Sequence, residues 1–389
     1  MHEEPTIIGF DAKRIVNNAT GLGSYGRTLV GDLLRASSPD WSFRLYAPDE
    51  GNPALVGQLE KDPRLTLCHP ETNPPSLWER GWGRGSLWRS RGIVGQLQRE
   101  GVRLYHGLSG ELPIGIRRSG IRSVVTIHDL IFLRHPEYYK WIDTKLYAWK
   151  FRRTLKEADR IIAISECTRR DIMEFGKVPA EKISLIYQSC STFFKQRESE
   201  DLLQKVNARY ELPSRYIVNV GTIEERKNIA LAVKALPLLP PDLHLVVVGR
   251  RTPYTDSVLQ QAAQLQVAQR VHILRGVPNS DLPSIYQMAE ACVYPSRYEG
   301  FGIPIIEAIQ SGLPVVACTG SCLEEAGGPD SLYVAPDDVE GMAAAIAQSL
   351  KGAEGRDERI LRSQQYVRRF EGVDVAGQVI SLYKELLNG

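Results

Sequence analysis

Two carboxylates at a fixed spacing carry the clearest chemical signal in this sequence. Glu299 and Glu307 stand eight positions apart, with two glycines and a proline between them. The apolar run Ala291–Tyr294 predicts a strand before Glu299, and Pro304 suits the first turn of a helix that carries Glu307. Backbone amides of 300–302 at the start of that helix would bind a diphosphate. Flanking carboxylates would accept sugar hydroxyls, so the pattern favours a nucleotide-sugar site. The alternative is a capped turn with two solvated glutamates.

A second candidate for diphosphate binding is the segment 221–228, which reads Gly-Thr-Ile-Glu-Glu-Arg-Lys-Asn. It follows the predicted strand Tyr216–Val220, so Arg226 and Lys227 would stand at the end of that strand. Two adjacent cations there can neutralise a diphosphate leaving group, lysine as a point charge and arginine as a bidentate fork. Taken alone, the same letters also fit a solvated charge run at a helix start.

A histidine and an aspartate follow the predicted strand Ser123–Ile127. His128 at the strand end would orient a substrate or accept its hydrogen bonds, with Asp129 holding one tautomer of the ring. A structural histidine that satisfies a loop is an equally open interpretation.

The segment Gly21–Gly26 matches the dinucleotide fingerprint GxGxxG, which by itself favours an oxidoreductase. However, ten residues separate Phe10, the end of the first predicted strand, from Gly21. The fingerprint should follow the strand directly and be answered by an acidic residue at the end of the next strand. We therefore interpret the segment as a loop that touches the binding site, with Gly21 and Gly23 allowing close backbone approach.

These residues need strand ends to position them, and the chain supplies an alternation of short apolar runs and helical patterns. Such alternation predicts parallel sheets built from βαβ units. At 389 residues, two domains are expected. The predicted strands are Thr6–Phe10, Ser42–Tyr46, Arg103–Tyr105, Ser123–Ile127, Arg160–Ile164, Tyr216–Val220, Leu243–Val248, Val271–Leu274, Ala291–Tyr294 and Val315–Ala317.

The domain junction is expected near residues 190–210, because the stretch 194–212 is charged and poor in apolar pattern. The first domain would cover residues 1–195, completed by a C-terminal helix at 375–389, and the second would cover 205–370. Two doubly wound sheets bind ligands at the carboxyl ends of their strands, so we expect the domains to face each other across a cleft.

Bulk properties exclude several classes of protein. A composition of 43% hydrophobic and 24% charged residues describes a globular protein, and a net charge of +2 gives no global basic field for nucleic acid. The start, residues 1–5, lacks a signal-peptide pattern, and no run approaches the ~18 apolar residues of a membrane span, so a cytoplasmic location is expected. The six cysteines suit buried free thiols, and no metal site is expected.

One stretch mixes aromatic and basic residues. Residues 77–103 hold three of the six tryptophans and six arginines, a composition that would suit a membrane surface or a lipid-diphosphate acceptor. A loop followed by a packed helix with snorkelling arginines is the interpretation we favour. Asp338, before the pattern 339–350, is expected to cap a helix.

In their order along the chain, these motifs closely resemble the GT-B glycosyltransferases of family 4, the large retaining group. The resemblance covers most of the sequence. It rests on Gly9–Lys13, Gly21–Tyr25, Thr126–Leu130, Ile164–Glu166, Gly221–Asn228, Pro295–Ala308 and Gly312–Val316. It implies an α/β fold of two doubly wound Rossmann-like domains, and a same-face attack in which the leaving phosphate takes the acceptor's proton. No metal and no cofactor beyond the nucleotide-sugar co-substrate are implied.

The resemblance also implies residue roles. The catalytic set would be His128, Glu299, Lys227 and Arg226, with Glu299 on hydroxyls of the donor sugar and the two cations on the diphosphate. Donor binding would involve Gly21, Gly23, Asp129, Gly221, Thr222, Val277, Gly300, Phe301, Gly302 and Glu307, with Glu307 on the ribose and Val277 at the base.

Two departures from the family pattern bear on specificity. Thr222 stands where many members carry an arginine, which leaves open whether Arg226 replaces that cation, and residues 187–190 replace a common Asn-Gly turn. The form of 221–228 resembles a mannosyltransferase subgroup of surface-polysaccharide assembly, so GDP-mannose is favoured over UDP-sugars. We expect a glycan or lipid-linked acceptor, no nucleic acid, and contact with the inner face of the membrane. Alternatives are a non-catalytic nucleotide-sugar-binding relative and an NAD(P)-dependent oxidoreductase.

Overall fold

A computed structural model describes residues 5–70 and 88–389 of the chain. It divides into two compact units, one formed by residues 1–189 with 372–389 and the other by residues 190–371. Residues 77–87 of the aromatic and basic stretch therefore lie outside the described ranges. Its remainder, Trp88–Arg103, includes a short helix whose Leu97 is buried in the core.

The first unit is an α/β layer structure around one parallel sheet. Its elements are β1 (Thr6–Asp11), α1 (Lys13–Asn17), α2 (Gly21–Ala36), β2 (Trp41–Tyr46), α3 (Pro53–Val56), β3 (Leu65–Cys68), α4 (Ile93–Arg99), β4 (Val102–Gly107), β5 (Arg122–Ile127), α5 (Ile131–Arg134), α6 (Trp141–Glu157), β6 (Arg160–Ala163), α7 (Glu166–Gly176) and β7 (Ile183–Leu185). The strand order is β3-β2-β1-β4-β5-β6-β7, and every pairing is parallel.

The second unit repeats this plan with six strands. Its elements are α8 (Glu200–Tyr210), β8 (Tyr216–Val220), α9 (Ile229–Ala235), β9 (His244–Val248), α10 (Tyr254–Gln264), β10 (Val271–Leu274), α11 (Leu282–Met288), β11 (Ala291–Tyr294), α12 (Ile303–Gln310), β12 (Val315–Cys318), α13 (Leu323–Gly327), β13 (Leu332–Val334), α14 (Val339–Ala347) and α15 (Arg356–Tyr366). The order β10-β9-β8-β11-β12-β13 is parallel throughout and reverses its direction of growth between β8 and β11.

Both sheets are buried on their two faces, which explains why their strands read as continuous apolar runs. Val218, Val246 and Val293 are fully buried on the central strands of the second sheet. The prediction of two doubly wound parallel sheets is confirmed. The short strands β3, β7 and β13 were not predicted, because each is three or four residues long and lies at or next to a sheet edge.

The C-terminal helix α16 (Gly372–Asn388) packs on the first unit. Val379 and Tyr383 join the core cluster that contains Leu33 and Trp41, and the ring of Tyr383 stacks on Trp41 at 6.2 Å. The Tyr383 hydroxyl also lies 2.6 Å from His106 Nδ1, and both groups are buried. The final stretch of chain is thus a core element of the sheet that the N-terminal residues begin.

One expectation about local structure is wrong, and one helix was not predicted. The glycine segment 21–26 is not a loop: it forms the first turns of α2, and α1 stands between it and β1. A β-carbon on Gly23 would lie 1.8 Å from the backbone oxygen of Asn18, so this glycine makes room for the chain's own backbone, whereas Gly21 has open space around it. The stretch 194–212 contains helix α8, whose single buried residue, Val206, left too weak an apolar pattern to predict it.

Candidate functional site

The candidate site of the second unit lies where β8 and β11 end side by side. Ligands of open α/β sheets bind at the carboxyl ends of the strands where the strand order reverses, and in this sheet that point is between β8 and β11. The loop after β8 contains a short 3₁₀ turn, Glu225–Lys227, that ends at Asn228 in the left-handed region, with φ of 52°. The backbone N–H of Arg297 donates to the Arg226 oxygen at 2.9 Å, which joins the two loops.

At this point the structure brings Glu299, Arg226 and Lys227 together. Arg226 Nη1 lies 2.8 Å from one carboxylate oxygen of Glu299, and Lys227 Nζ lies 2.5 Å from the other. Lys227 also donates to the hydroxyl of Tyr294 at 2.7 Å, and this hydroxyl donates to Glu299 at 3.3 Å. The charge run at 226–227 is therefore not a solvated surface feature, because both cations are mostly buried against one carboxylate.

Electrostatics keep all three charges in place. Burial alone would raise the pKa of Glu299, but the charges of Lys227 and Arg226 outweigh it and lower the pKa to about 2. The pKa values of both cations rise because Glu299 outweighs their burial. Glu299, Arg226 and Lys227 therefore all stay charged at pH values near neutrality, and Arg226 also pairs with the carboxylate of Glu224 at 2.7 Å.

Glu307 has a different environment. It lies in the second turn of α12, as the sequence predicts, and accepts a hydrogen bond from the Tyr286 hydroxyl at 3.2 Å. Burial raises its pKa to about 7, and the bond from Tyr286 opposes this only in part. The two carboxylates of the motif are therefore distinct: one is held ionised, and the other takes or gives up a proton near neutral pH.

The glycines of this motif and of the neighbouring strand ends are required by the local backbone in different ways. Gly302 caps α12 with φ of 140°, and a β-carbon there would approach the side chain of Ala326 to 3.1 Å. Gly300 and Phe301 lie between Glu299 and this cap, and the Cys322 thiol donates to the Phe301 carbonyl at 2.7 Å. At the end of β8, Gly221 packs against Gly249, whose β-carbon would lie 1.8 Å from the Gly221 oxygen. Thr222 follows in the same loop.

A cavity of about 400 Å³ opens at the ends of β9 and β10 in the same unit. It is lined by Val248, Gly249, Arg250, Arg251, Arg275, Gly276 and Val277. Val277, the residue predicted to meet a nucleotide base, is thus part of a pocket that carries three arginines. Arg251 is paired with Asp256 at 2.5 Å.

His128 and Asp129 lie in the first unit, directly after β5. The ring of His128 donates from Nε2 to the Leu108 carbonyl at 2.8 Å, and Gln188 donates to its Nδ1 at 2.8 Å. This arrangement fixes the neutral tautomer with its proton on Nε2, and burial lowers the pKa to about 4. The expectation that Asp129 holds the tautomer is wrong, because Gln188 and Leu108 occupy both ring nitrogens. Asp129 instead accepts the backbone N–H of Ile131 at 3.2 Å.

Sequence reasoning missed several residues that position these groups. Tyr294 and Tyr286 touch the two carboxylates, and Gln188 touches His128. A further cluster at the end of β1 joins Asp11 to Arg89 at 2.5 Å, and Arg89 to Glu111 at 2.8 Å. Apart from the contact between Tyr294 and Glu299, which are five positions apart, these contacts join residues about 20 to about 80 positions apart, so no local pattern predicts them. Only the position of Asp11 and Tyr294 at strand ends could have indicated them.

Solved structures show which class of fold this chain has. The match to the structure of Anabaena Alr3699/HepE in complex with UDP covers 98% of this chain and 100% of the HepE chain, with a TM-score of 0.73 at 17% sequence identity. The match to the structure of WaaG, a glycosyltransferase involved in lipopolysaccharide biosynthesis, covers 97% of this chain and 99% of the WaaG chain, with a TM-score of 0.71 at 16% sequence identity. The fold is that of the GT-B glycosyltransferases.

Sequence relatives define the family. A model described as Glycosyltransferase Family 4 matches residues 32–191, and one described as Glycosyl transferases group 1 matches residues 204–365. O-antigen chain mannosyltransferase B of Escherichia coli is 32% identical over 289 residues, 73% of this chain and 74% of that protein. A GDP-mannose-dependent phosphatidylinositol monomannoside mannosyltransferase of Mycolicibacterium smegmatis is 27% identical over 85% of both chains. The chain belongs to glycosyltransferase family 4 and is a hexosyltransferase.

Proposed function

We propose that the protein transfers mannose from GDP-mannose to a glycan or lipid-linked acceptor in surface-polysaccharide synthesis, with retention at the anomeric carbon and without a metal ion. The observation that carries the proposal is the Arg226–Lys227–Glu299 cluster at the strand-order reversal of the second unit. The relatives named for mannosyl transfer support the sugar, and the arginine-lined pocket supports the base.

Charge explains why this cluster suits a nucleotide diphosphate. When the bond between the sugar C1 and the phosphate oxygen breaks, negative charge develops on the diphosphate, and preorganised cations stabilise it. Arg226 and Lys227 supply the positive charge that a metal ion supplies in other transferases. Glu299 holds both cations and, being ionised, accepts hydrogen bonds from sugar hydroxyls. The acceptor oxygen forms its bond to C1 on the same face, and its proton passes to the leaving phosphate.

The pocket at Val277 favours guanine. Guanine presents two adjacent acceptors, O6 and N7, which an arginine guanidinium binds bidentately, whereas uracil lacks such a pair. Arg250 and Arg275 line the pocket, and no ion pair within the described ranges engages either one. We assign base recognition to these arginines and to the backbone at 276–277, and ribose binding to Glu307. His128 is proposed to contact the transferred sugar as a neutral ring.

Donor binding tests this proposal directly. Calorimetric titration in EDTA should show binding of GDP-mannose and GDP, with UDP-glucose at least about tenfold weaker. Proton NMR of the product should show the α-anomer that GDP-mannose itself carries. Preference for UDP-sugars would overturn the donor assignment, a β-linked product would overturn retention, and a strict need for Mg²⁺ would overturn the metal-free mechanism.

Replacement of Lys227 tests the cluster. Lys227→Met should lower the transfer rate by about 10²–10³, because one of the two cations facing the leaving group is lost. Lys205→Met removes an exposed lysine from α8 of the same unit and should leave the rate unchanged. Rates are measured with saturating GDP-mannose and a polyprenyl-linked glycan. Equal rates for both variants would contradict the assignment.

A further inference from the structure

Helix α6 carries half of the large exposed apolar side chains found in the described ranges. Trp141 and Ile142 are 72% exposed, Trp149 is 56% exposed and Leu146 is 47% exposed. Tyr147 is also exposed, and its ring packs against Phe132 at 5.7 Å. Contiguous exposed apolar groups on one element mark an interaction surface, whereas single ones need no explanation.

The same face of the helix is basic. Lys145, Arg152 and Lys156 are exposed, and at 100° per residue they fall on the arc that Trp141, Ile142 and Trp149 define. The buried side of α6 is formed by Ala148, Phe151, Thr154 and Leu155. We call the exposed set, Trp141, Ile142, Lys145, Leu146, Trp149, Arg152 and Lys156, the α6 surface.

Among the described residues, no acidic side chain forms an ion pair with the cations of the α6 surface. Within residues 5–70 and 88–389, no ion pair engages Lys145, Arg152 or Lys156, and Lys145 lies over the ring of Trp141 at 5.6 Å. The carboxylate of Glu157 is buried and faces Arg153 at 3.6 Å. Arg117 extends the basic end of the helix by donating to the Lys156 carbonyl.

We propose that the α6 surface docks on an anionic phospholipid bilayer. A helix with tryptophan and aliphatic residues beside lysine and arginine lies in the plane of the membrane interface, where rings enter the headgroup region and cations meet lipid phosphates. No helix of the described ranges is long and apolar enough to span a bilayer, so the contact is peripheral. A second copy of the chain fits less well, because a symmetric contact would bring uncompensated cations together.

Vesicle flotation tests this proposal without any sugar substrate, so its failure is distinguishable from failure of the proposed function. The full chain should float with vesicles of phosphatidylcholine and phosphatidylglycerol in equal amounts, and far less with phosphatidylcholine alone. Trp141→Ser with Trp149→Ser should lower binding by about tenfold or more. Lys145→Gln and Arg152→Gln should each lower it by about fivefold and weaken its dependence on salt.

Matched controls separate this surface from general stickiness. Leu361→Ser removes an equally exposed apolar side chain, and Lys205→Gln an exposed cation, so both should bind as the parent does. Circular dichroism checks that each variant is folded. Binding that is absent in the parent, unchanged in the α6 variants or equal for neutral vesicles would overturn the proposal. So would a dimer in sedimentation velocity that the Trp141→Ser, Trp149→Ser variant abolishes.

Discussion

Three candidate residues, two in the second unit and one in the first, differ mainly in how their protonation is fixed. Glu299 is ionised because two cations touch it, Glu307 titrates near neutrality because burial outweighs one tyrosine hydroxyl, and His128 stays neutral because burial disfavours its charge. Three ionisable groups that sequence reasoning placed in one site thus have three separate causes for their state.

Glu307 should make stability depend on pH. The folded protein keeps a proton on this carboxyl up to a pKa of about 7, against 4.5 as the ordinary value, so the unfolded state releases its proton first as pH rises. The contribution of the protonated Glu307 carboxyl to the free energy of unfolding is therefore fully present below pH 4.5, and it is lost as the pH rises from about 4.5 to about 7. Glu307→Gln removes this loss, so the free energy of unfolding of the variant should exceed that of the parent by up to about 3 kcal/mol above pH 7.

The measurement is the melting temperature of Glu307→Gln against the parent, by circular dichroism, from pH 4.5 to 8. The difference between the two melting temperatures should increase as the pH rises. Glu324→Gln changes an exposed carboxyl of the same unit and should show a constant gap. A constant gap for Glu307→Gln as well would show that its pKa is ordinary.

Gln188 is a positioning residue for His128 in our interpretation. Its amide donates to the nitrogen that would be protonated, so Gln188→Glu should reverse the interaction and raise the His128 pKa from about 4 by about one unit or more. An NMR pH titration of the ring protons measures this, and the transfer rate should fall only where the ring becomes charged. Gln58→Glu, an exposed change of the same charge, should leave the pKa in place. An unchanged pKa in Gln188→Glu would refute the role.

At the scale of elements, strand ends and helix starts decide where the chemistry stands. In the second unit the loops after β8 and β11 meet because these strands are neighbours at the order reversal, although 70 residues separate Val220 from Ala291 in the chain. In the first unit Gly23 and Gly26 of α2 allow the start of the helix to pack on residues 14–18. The same glycine pattern could have allowed close approach of a ligand, and only the backbone structure distinguishes packing from ligand binding.

Two glycines on α2 should therefore respond differently to the same substitution. Gly23→Ala places a β-carbon against the Asn18 oxygen and should destabilise the first unit by about 2–4 kcal/mol. Gly21→Ala meets open space and should be neutral or stabilise by up to about 1 kcal/mol. All six tryptophans lie in residues 1–189, so unfolding followed by tryptophan fluorescence reports this unit. Similar melting temperatures for both variants would contradict the packing role.

At the scale of the whole molecule, the two ends of the chain build one unit. Helix α16 closes the core over Trp41 and Leu33, and its Tyr383 reaches the buried His106, which in turn contacts Thr126 at 2.8 Å. A chain of buried polar groups thus runs from the last helix to the strand that leads to His128. Stability of the first unit therefore depends on residues that follow the second.

Tyr383→Phe should show this dependence. It leaves the buried Nδ1 of His106 without its partner and should destabilise by about 1–3 kcal/mol. Tryptophan fluorescence should record the fall, while Tyr147→Phe, on an exposed ring, should not change the melting temperature. An unaltered transition in Tyr383→Phe would mean that the helix is held by apolar packing alone.

The sequence by itself determined the repeated α/β plan, because parallel strands buried on both faces read as apolar runs of a recognisable period. It also determined the motif residues on either side of α12, since glycine, proline and glutamate have local geometric meaning there. Only the tertiary structure decided which groups meet. The pairing of Glu299 with Lys227, the contact of Gln188 with His128 and the clustering of Val277 with Arg250 and Arg251 join distant positions. Their energies depend on burial and distance, which no local sequence pattern encodes.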